Sequence, residues 1–104
     1  MRVKPGVRIF GMRPEVFFAL GIAEGLWQRE GSEVTVTGGV EGKHMTASLH
    51  YLGLAADIRK RDVEATILAE LLKDLREQLG DDFDVVEEGD HLHIEFQPKL
   101  PYSG

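Results

Sequence analysis

The sequence predicts a small α+β domain in which two helices pack on a sheet of about four strands. Two segments repeat apolar residues at steps of three and four, which is typical of amphipathic helices. Four other segments alternate or are rich in β-branched residues, and turn residues separate them. A chain of 104 residues makes one domain with a modest core, here 1–104. Within it we expect 1–12 to form an extended or looped N-terminal segment and 97–104 a tail.

The first helix is predicted over 14–29. Pro14 suits its first turn, where a missing N–H is harmless, and Gly31 marks its end. Gly21 and Gly25 are four residues apart, and we expect them to allow close packing against a neighbouring element. The predicted buried stripe consists of Val16, Phe17, Leu20, Ala23, Leu26 and Trp27.

Two strands are predicted between the helices. Alternation with β-branched residues indicates a strand over 33–37, which Gly38 and Gly39 end, and a loop follows over 38–47. The second strand covers 55–59. Because side chains alternate along a strand, one of its faces carries Ala56 and Ile58, and the other carries Ala55, Asp57 and Arg59.

The second helix is predicted over 62–79, with Asp62 as its N-terminal cap and Gly80 at its stop. Its charged residues are expected to form a solvated face. Its apolar stripe consists of Val63, Ile67, Leu68, Leu71, Leu72, Leu75 and Leu79.

The last two strands, 83–87 and 91–96, are predicted to form a hairpin that turns through Glu88, Gly89 and Asp90. On the final strand the residues alternate in character. One face carries Leu92, Ile94 and Phe96, and the other carries His91, His93 and Glu95. The pattern predicts a core on one side of the sheet and polar chemistry on the other.

The composition excludes several classes of function. The chain contains no cysteine, so a metal site would have to use His, Asp, Glu or backbone oxygen. The net charge of −6 and the lack of a basic run argue against binding to nucleic acid or to an anionic membrane surface. We find neither a transmembrane stretch nor a secretory signal, and we therefore expect a protein that is cytoplasmic as made. We also expect it to be a monomer.

Three residues stand out as a metal-ligand set: His50, Asp57 and His93. Each pair is weak alone, because a His and an Asp seven residues apart are common. Together the three form two apolar-flanked motifs with a glycine between the first two ligands. Two imidazoles and one carboxylate leave the fourth position of a tetrahedral zinc open, which is typical of a catalytic site.

These motifs resemble a known group of proteins. The segment 48–58 reads SLHYLGLAADI, and 90–96 reads DHLHIEF. Both are similar to the zinc motifs of D-alanyl-D-alanine metallopeptidases and phage endopeptidases, and still more to those of hedgehog signalling domains. The resemblance covers 34–96. It implies an α+β fold with zinc on an antiparallel sheet and His50, Asp57 and His93 as its ligands.

The resemblance also implies a general base, although it leaves the residue open. The peptidases carry an acidic residue three positions before the last zinc histidine, which here is Asp90. It would deprotonate the attacking water and later protonate the leaving amine. Hedgehog domains carry their acidic residue earlier, at a position that falls on Glu87 or Glu88. We favour Asp90, then Glu88; the alternative for all three is a solvated hairpin tip.

One further catalytic candidate and three candidates for substrate binding remain. His91 would lie beside the metal and donate to an oxyanion, or would simply be exposed. His44 matches a hedgehog histidine near zinc and would polarise the substrate, or is a surface residue. Ser48 would support the site by hydrogen bonding. Lys43 stands where the peptidases have an Arg that binds a substrate carboxylate. It could take that role, but a lysine is a less directional hydrogen-bond donor than an arginine.

The resulting hypothesis is a zinc peptidase that cleaves peptidoglycan-type peptides, with a phage origin and with another factor releasing it to the cell wall. Calcium is not predicted, because Glu41 alone supplies too few oxygen ligands in the loop. The main alternative is a zinc-stabilised binding domain without turnover. A structural phage component that keeps the site for stability is a third.

Overall fold

The computed structural model describes residues 1–41, 50 and 52–98. Within that part of the chain, two helices and five strands form an α+β arrangement, and this class is as predicted. No helix among these residues is long and apolar enough to span a membrane. The elements are β1 (Arg2–Val3), α1 (Pro14–Arg29), β2 (Thr35–Gly38), β3 (Ala55–Arg59), α2 (Ala65–Leu79), β4 (Phe83–Glu87) and β5 (His91–Phe96).

The described strands form one sheet in the order β1-β2-β3-β5-β4. Neighbouring strands are antiparallel except β1, which pairs in parallel with β2. The sheet is therefore mixed and has five strands rather than the four predicted. The extra strand, Arg2–Val3, has only two residues, both exposed, so it lacks the apolar alternation that would reveal it in the sequence. The predicted hairpin of β4 and β5 is confirmed.

Helix α1 has the predicted bounds, and its end follows from hydrogen bonding at a glycine. The N–H of Gly31 donates to the carbonyl of Gln28, and that of Ser32 donates to Trp27. Gly31 has φ 73°, and this left-handed geometry makes a Schellman motif. The buried stripe is as predicted except that Ala19 belongs to it and Phe17 is exposed.

The expectation for the two helix glycines is wrong. Gly21 and Gly25 are exposed, and a Cβ atom built at either would find no atom within 4 Å. They therefore lie on the solvent side of α1, and close packing does not explain them. A glycine there only weakens the helix, by roughly 0.5–1 kcal/mol relative to alanine.

Helix α2 begins at Ala65, three residues later than predicted, with Glu64 at the N-cap position. Asp62 does not cap it, because its carboxylate pairs instead with the Arg59 guanidinium at 2.7 and 3.0 Å. The apolar stripe is confirmed: five of its leucines are buried, and Val63 and Ile67 pack against the core. Gly80, with φ 78°, follows the last residue.

Both helices cover the same face of the sheet: α1 packs against β5 and α2, and α2 packs against β4. On this face Leu92 and Ile94 of β5 are fully buried, and so are Ala56 and Ile58 of β3. Phe96 is partly buried against the same core. The predicted division of the two strands into a core face and a polar face is therefore confirmed, and it determines where the site lies.

Candidate metal centre

The centre of the polar face is formed by two residues that are direct partners in the sheet. Asp57 of β3 pairs with His93 of β5. Side chains of directly opposed residues point to the same side of a sheet, with Cβ atoms about 5 Å apart. The Nδ1 atom of His93 accordingly lies 2.9 Å from Oδ1 of Asp57. The strand register alone brings these two residues together.

His50 completes the group from the connection that leads into β3. Its side chain is buried, and its Nε2 atom lies 3.5 Å from Oδ1 of Asp57. The rings of His50 and His93 have centroids 5.0 Å apart. One potential ligand atom from each of the three residues lies within 4.8 Å of the others, so the group could hold a metal ion. All three predicted ligands therefore meet at one place.

The outer hydrogen bonds determine which ring nitrogens face the centre. Nδ1 of His50 lies 2.9 Å from the carbonyl oxygen of Gly39, which can only accept, so this nitrogen carries the proton and Nε2 faces Asp57. On His93 the outer contact is Nε2 with Oε1 of Glu95, at 2.8 Å, and Nδ1 faces Asp57. Metal-binding histidines usually have such an outer partner on the other nitrogen.

The charges of the group are strongly coupled. Burial raises the pKa of Asp57, but hydrogen bonds with His50 and His93 outweigh burial and hold that pKa far below its usual range. The hydrogen bond with Asp57 raises the pKa of His93 to about 9; burial opposes this, and Glu95 adds to it. Both nitrogens of His93 therefore face carboxylates, and a metal ion on Nδ1 would take the place of a proton.

The last residue of β2 and the glycine after it leave the space for the candidate ligands, and the sequence did not reveal this role. A Cβ atom on Gly38 would overlap the Asp57 carboxylate, so only glycine leaves room for it. Gly39 is held by Glu41, whose Oε1 accepts the N–H groups of Gly39 at 2.9 Å and of Arg8 at 2.7 Å. In the sequence the Gly38-Gly39 pair indicates only the end of a strand. Its role at the site depends on contacts with Asp57 and Arg8, which are far away in the sequence.

The hairpin tip brings the predicted base candidates to two different atoms of His91. Asp90 lies 2.8 Å from Nδ1 and has a side chain that is 97% exposed. Glu88 lies 3.3 Å from Nε2, the atom that is also 3.8 Å from Oδ1 of Asp57. Glu88 is therefore on the side of His91 that faces the metal ligands. Glu87 pairs with Leu92 in the register, which puts it on the core side of the sheet.

The imidazole of His91 holds its proton more firmly than a free one. Burial lowers the pKa of His91, but the hydrogen bond with Asp90 and the charges of Asp57 and Glu88 raise it above its usual value. The same hydrogen bond lowers the pKa of Asp90. A protonated His91 beside Asp57 could donate a hydrogen bond to a developing negative charge.

Lys60 fixes the hairpin tip, and the sequence analysis missed it too. Its Nζ atom donates to the carbonyl oxygens of Glu88 and Gly89, each at 3.1 Å, and lies 2.8 Å from Oε2 of Glu87. The backbone N–H of Lys60 donates to the backbone carbonyl of Asp90. The first residue after β3 thus ties down the turn that carries both base candidates. No local pattern reveals a contact between residues 28 positions apart.

Three of the predicted substrate contacts lie outside the described residues: Lys43, His44 and Ser48. Their roles stay predictions. No protein-family model and no curated protein matches the chain. The resemblance of the two motifs to those of zinc peptidases and hedgehog domains therefore stays an expectation from the sequence.

Proposed function

We propose that this protein is a zinc-dependent peptidase that acts on peptidoglycan-type peptides. The observation that carries the proposal is the meeting of His50, Asp57 and His93 around one point, with an outer acceptor on each histidine. Two imidazoles and a carboxylate suit zinc, and three protein ligands are the usual number at a catalytic zinc. Bound there, zinc supplies a Lewis acid for the scissile carbonyl and lowers the pKa of water.

Other groups at the site have the properties that peptide hydrolysis needs. Glu88 has an exposed carboxylate on the metal-facing side of His91, where it can take a proton from water and return it to the leaving amine. His91 can stabilise the negative charge that develops on the carbonyl oxygen. Asp90 orients His91 through Nδ1. This arrangement favours Glu88 as the base, whereas the sequence motif favours Asp90.

The substrate class rests on the motif resemblance. Phage endopeptidases and D-alanyl-D-alanine peptidases, which the two motifs resemble, act on cell-wall peptides. The competing proposal is a binding domain that zinc stabilises. Such a domain would bind zinc and a partner but would not hydrolyse peptides.

The first experiment measures zinc content and digestion of purified peptidoglycan by mass spectrometry. We expect one zinc per chain and released peptides from the wild-type protein. His93→Ala should lose both, together with the thermal stability that metal binding adds to the folded state. Zinc retained in full by both His50→Ala and His93→Ala would refute the metal site. Bound zinc with no digestion would support the binding domain instead.

The second experiment identifies the base. Glu88→Gln should keep zinc and lower hydrolysis by ~10²–10⁴, the usual effect of losing a positioned acid–base group. Asp90→Asn should have a smaller effect, since its carboxylate acts through His91. Glu77→Gln, an exposed change on α2, is the matched control. If Asp90→Asn gives the larger loss, the motif identifies the base and the assignment to Glu88 fails.

A further inference from the structure

A cavity of about 470 Å³ shares neighbouring residues with the candidate metal centre, although none of the three candidate ligands lines it. Two of its wall residues adjoin the site directly. Thr37 precedes Gly38, which is packed on the Asp57 carboxylate, and Asp90 is hydrogen-bonded to His91. A volume of this size is within the range of small-ligand sites. A peptide with its scissile bond at the metal would therefore extend one end toward this cavity.

The cavity is lined by four cationic residues, although the whole chain has a net charge of −6. Two of them are already occupied: Arg59 binds Asp62 through two hydrogen bonds, and Lys60 binds Glu87 and the hairpin carbonyls. Lys4 and Arg61 form no ion pair or side-chain hydrogen bond within the described residues. The charge of Lys4 also acts on the carboxylate of Asp90, which lines the same cavity, so Arg61 is the cation with more charge left for a ligand.

The other lining residues limit what the ligand can be. Val63, Ala65 and Leu68 provide an apolar floor next to the two cations. An anionic group on a short aliphatic stem fits this combination, because the stem covers the apolar surface and the charge meets the cations. Arg61 can hold a carboxylate through two parallel N–H groups, and Lys4 adds a point charge.

We propose that this cavity binds a carboxylate of the peptide substrate, with Lys4 and Arg61 as its cationic partners. The carboxylate belongs either to the peptide's C-terminus or to an acidic side chain, and both sources share this chemistry. The position relative to the scissile bond rests on the proposed function. The cavity itself depends only on the described residues around it.

The test measures binding of three acetylated peptides to the zinc-loaded protein through amide NMR signals. The first is a trialanine with a free C-terminus, the second is its C-terminal amide, and the third is an amidated peptide with a central glutamate. We expect the signals of Lys4 and Arg61 to shift and one or both carboxylate peptides to bind about tenfold more tightly than the trialanine amide. Whichever peptide does so identifies the source.

Variants separate the cavity from general charge effects. Arg61→Gln and Lys4→Gln should each remove most of the carboxylate preference, whereas Lys73→Gln, an exposed change of equal charge on α2, should keep it. Equal affinity for all three peptides, or equal loss in Lys73→Gln, overturns the proposal. A carboxylate preference without any digestion would leave the cavity assignment standing and refute the peptidase; digestion without a preference would do the reverse.

Discussion

Strands β3 and β5 have two faces with opposite properties, although the residues of the two faces alternate along the chain. On one face Ala56, Ile58, Leu92 and Ile94 are fully buried under the helices. On the other face Asp57, His91, His93 and Glu95 form one connected set of ionisable groups. A shift of register by one residue would exchange the faces and destroy both.

The contrast between the two faces shows that the residues that stabilise the fold are largely different from those that form the candidate metal centre. The core face stabilises the strands by burying apolar surface, and this effect needs no partner of a particular chemical type because it is non-directional. The polar face needs specific partners, because each buried polar atom must be satisfied. Changes on the core face should therefore act on unfolding, and changes on the polar face on metal affinity.

The largest effect is expected from a cavity in the core face. Ile94→Ala should lower the free energy of unfolding by about 2–5 kcal/mol, because the side chain is fully buried and removal of its methyl and methylene groups leaves a void. Denaturant unfolding of the zinc-free protein measures it. Val86→Ala, on the neighbouring strand and 46% exposed, is the control and should change stability by less than about 0.5 kcal/mol. Equal losses would contradict the division between the faces.

A substitution at Gly38 should damage the polar face first. The new methyl group would displace the Asp57 carboxylate, so Gly38→Ala should abolish stoichiometric zinc binding and lower stability by about 1–3 kcal/mol. Zinc titration and circular dichroism measure the two effects. Gly21→Ala, on the solvent side of α1, should instead stabilise by roughly 0.5–1 kcal/mol. Unchanged zinc affinity in Gly38→Ala would show that Asp57 is not a ligand.

A change to the outer partner of His93 should be milder. Glu95→Gln keeps the shape of the side chain but weakens its hydrogen bond with Nε2 of His93. Zinc affinity should therefore fall by about 10–100-fold. Competition with a chelator measures the affinity, and unfolding of the zinc-free protein serves as the internal control. An unfolding change without any loss of affinity would assign Glu95 to stability alone.

The smallest effect concerns the zinc-free protein and its pH dependence. The pKa of His93 is raised to about 9, so its pairing with Asp57 stabilises fully below the unfolded value of 6.5 and is lost as the pH rises through about 9. Between these values the wild type should lose about 1 kcal/mol more stability than His93→Gln, after allowance for solvent screening. Parallel curves for the two proteins would contradict the pairing.

The sequence predicts the regular elements well, because their signals are local. The leucine spacing of α2 and the alternation of β5 depend only on neighbouring residues, and both are confirmed. The pairing within the candidate metal group is also predictable, since strand register makes Asp57 and His93 partners once both strands are recognised. Strand β1 and the start of α2 escape prediction because a two-residue strand has no period and Asp62 had a competing partner in Arg59.

The supporting residues of the site could not be predicted, because their contacts are distant in sequence. The side chain of Lys60 binds the carbonyl groups of Glu88 and Gly89, although helix α2 lies between these residues in the sequence. Gly38 matters only because Asp57 lies against it. Each of these residues has an ordinary local explanation in the sequence, such as a surface cation or a turn glycine, and only the folded structure distinguishes the two roles.

The strand order also has a consequence for exchange with solvent. The candidate ligands Asp57 and His93 are on strands that have a neighbour on both sides, whereas β1 and β4 are at the edges of the sheet. Edge segments open locally at low free energy, and central strands exchange their amide hydrogens only when the whole domain unfolds. The backbone under the candidate metal centre should thus be among the slowest-exchanging parts of the protein, and slower than the edge strand β4.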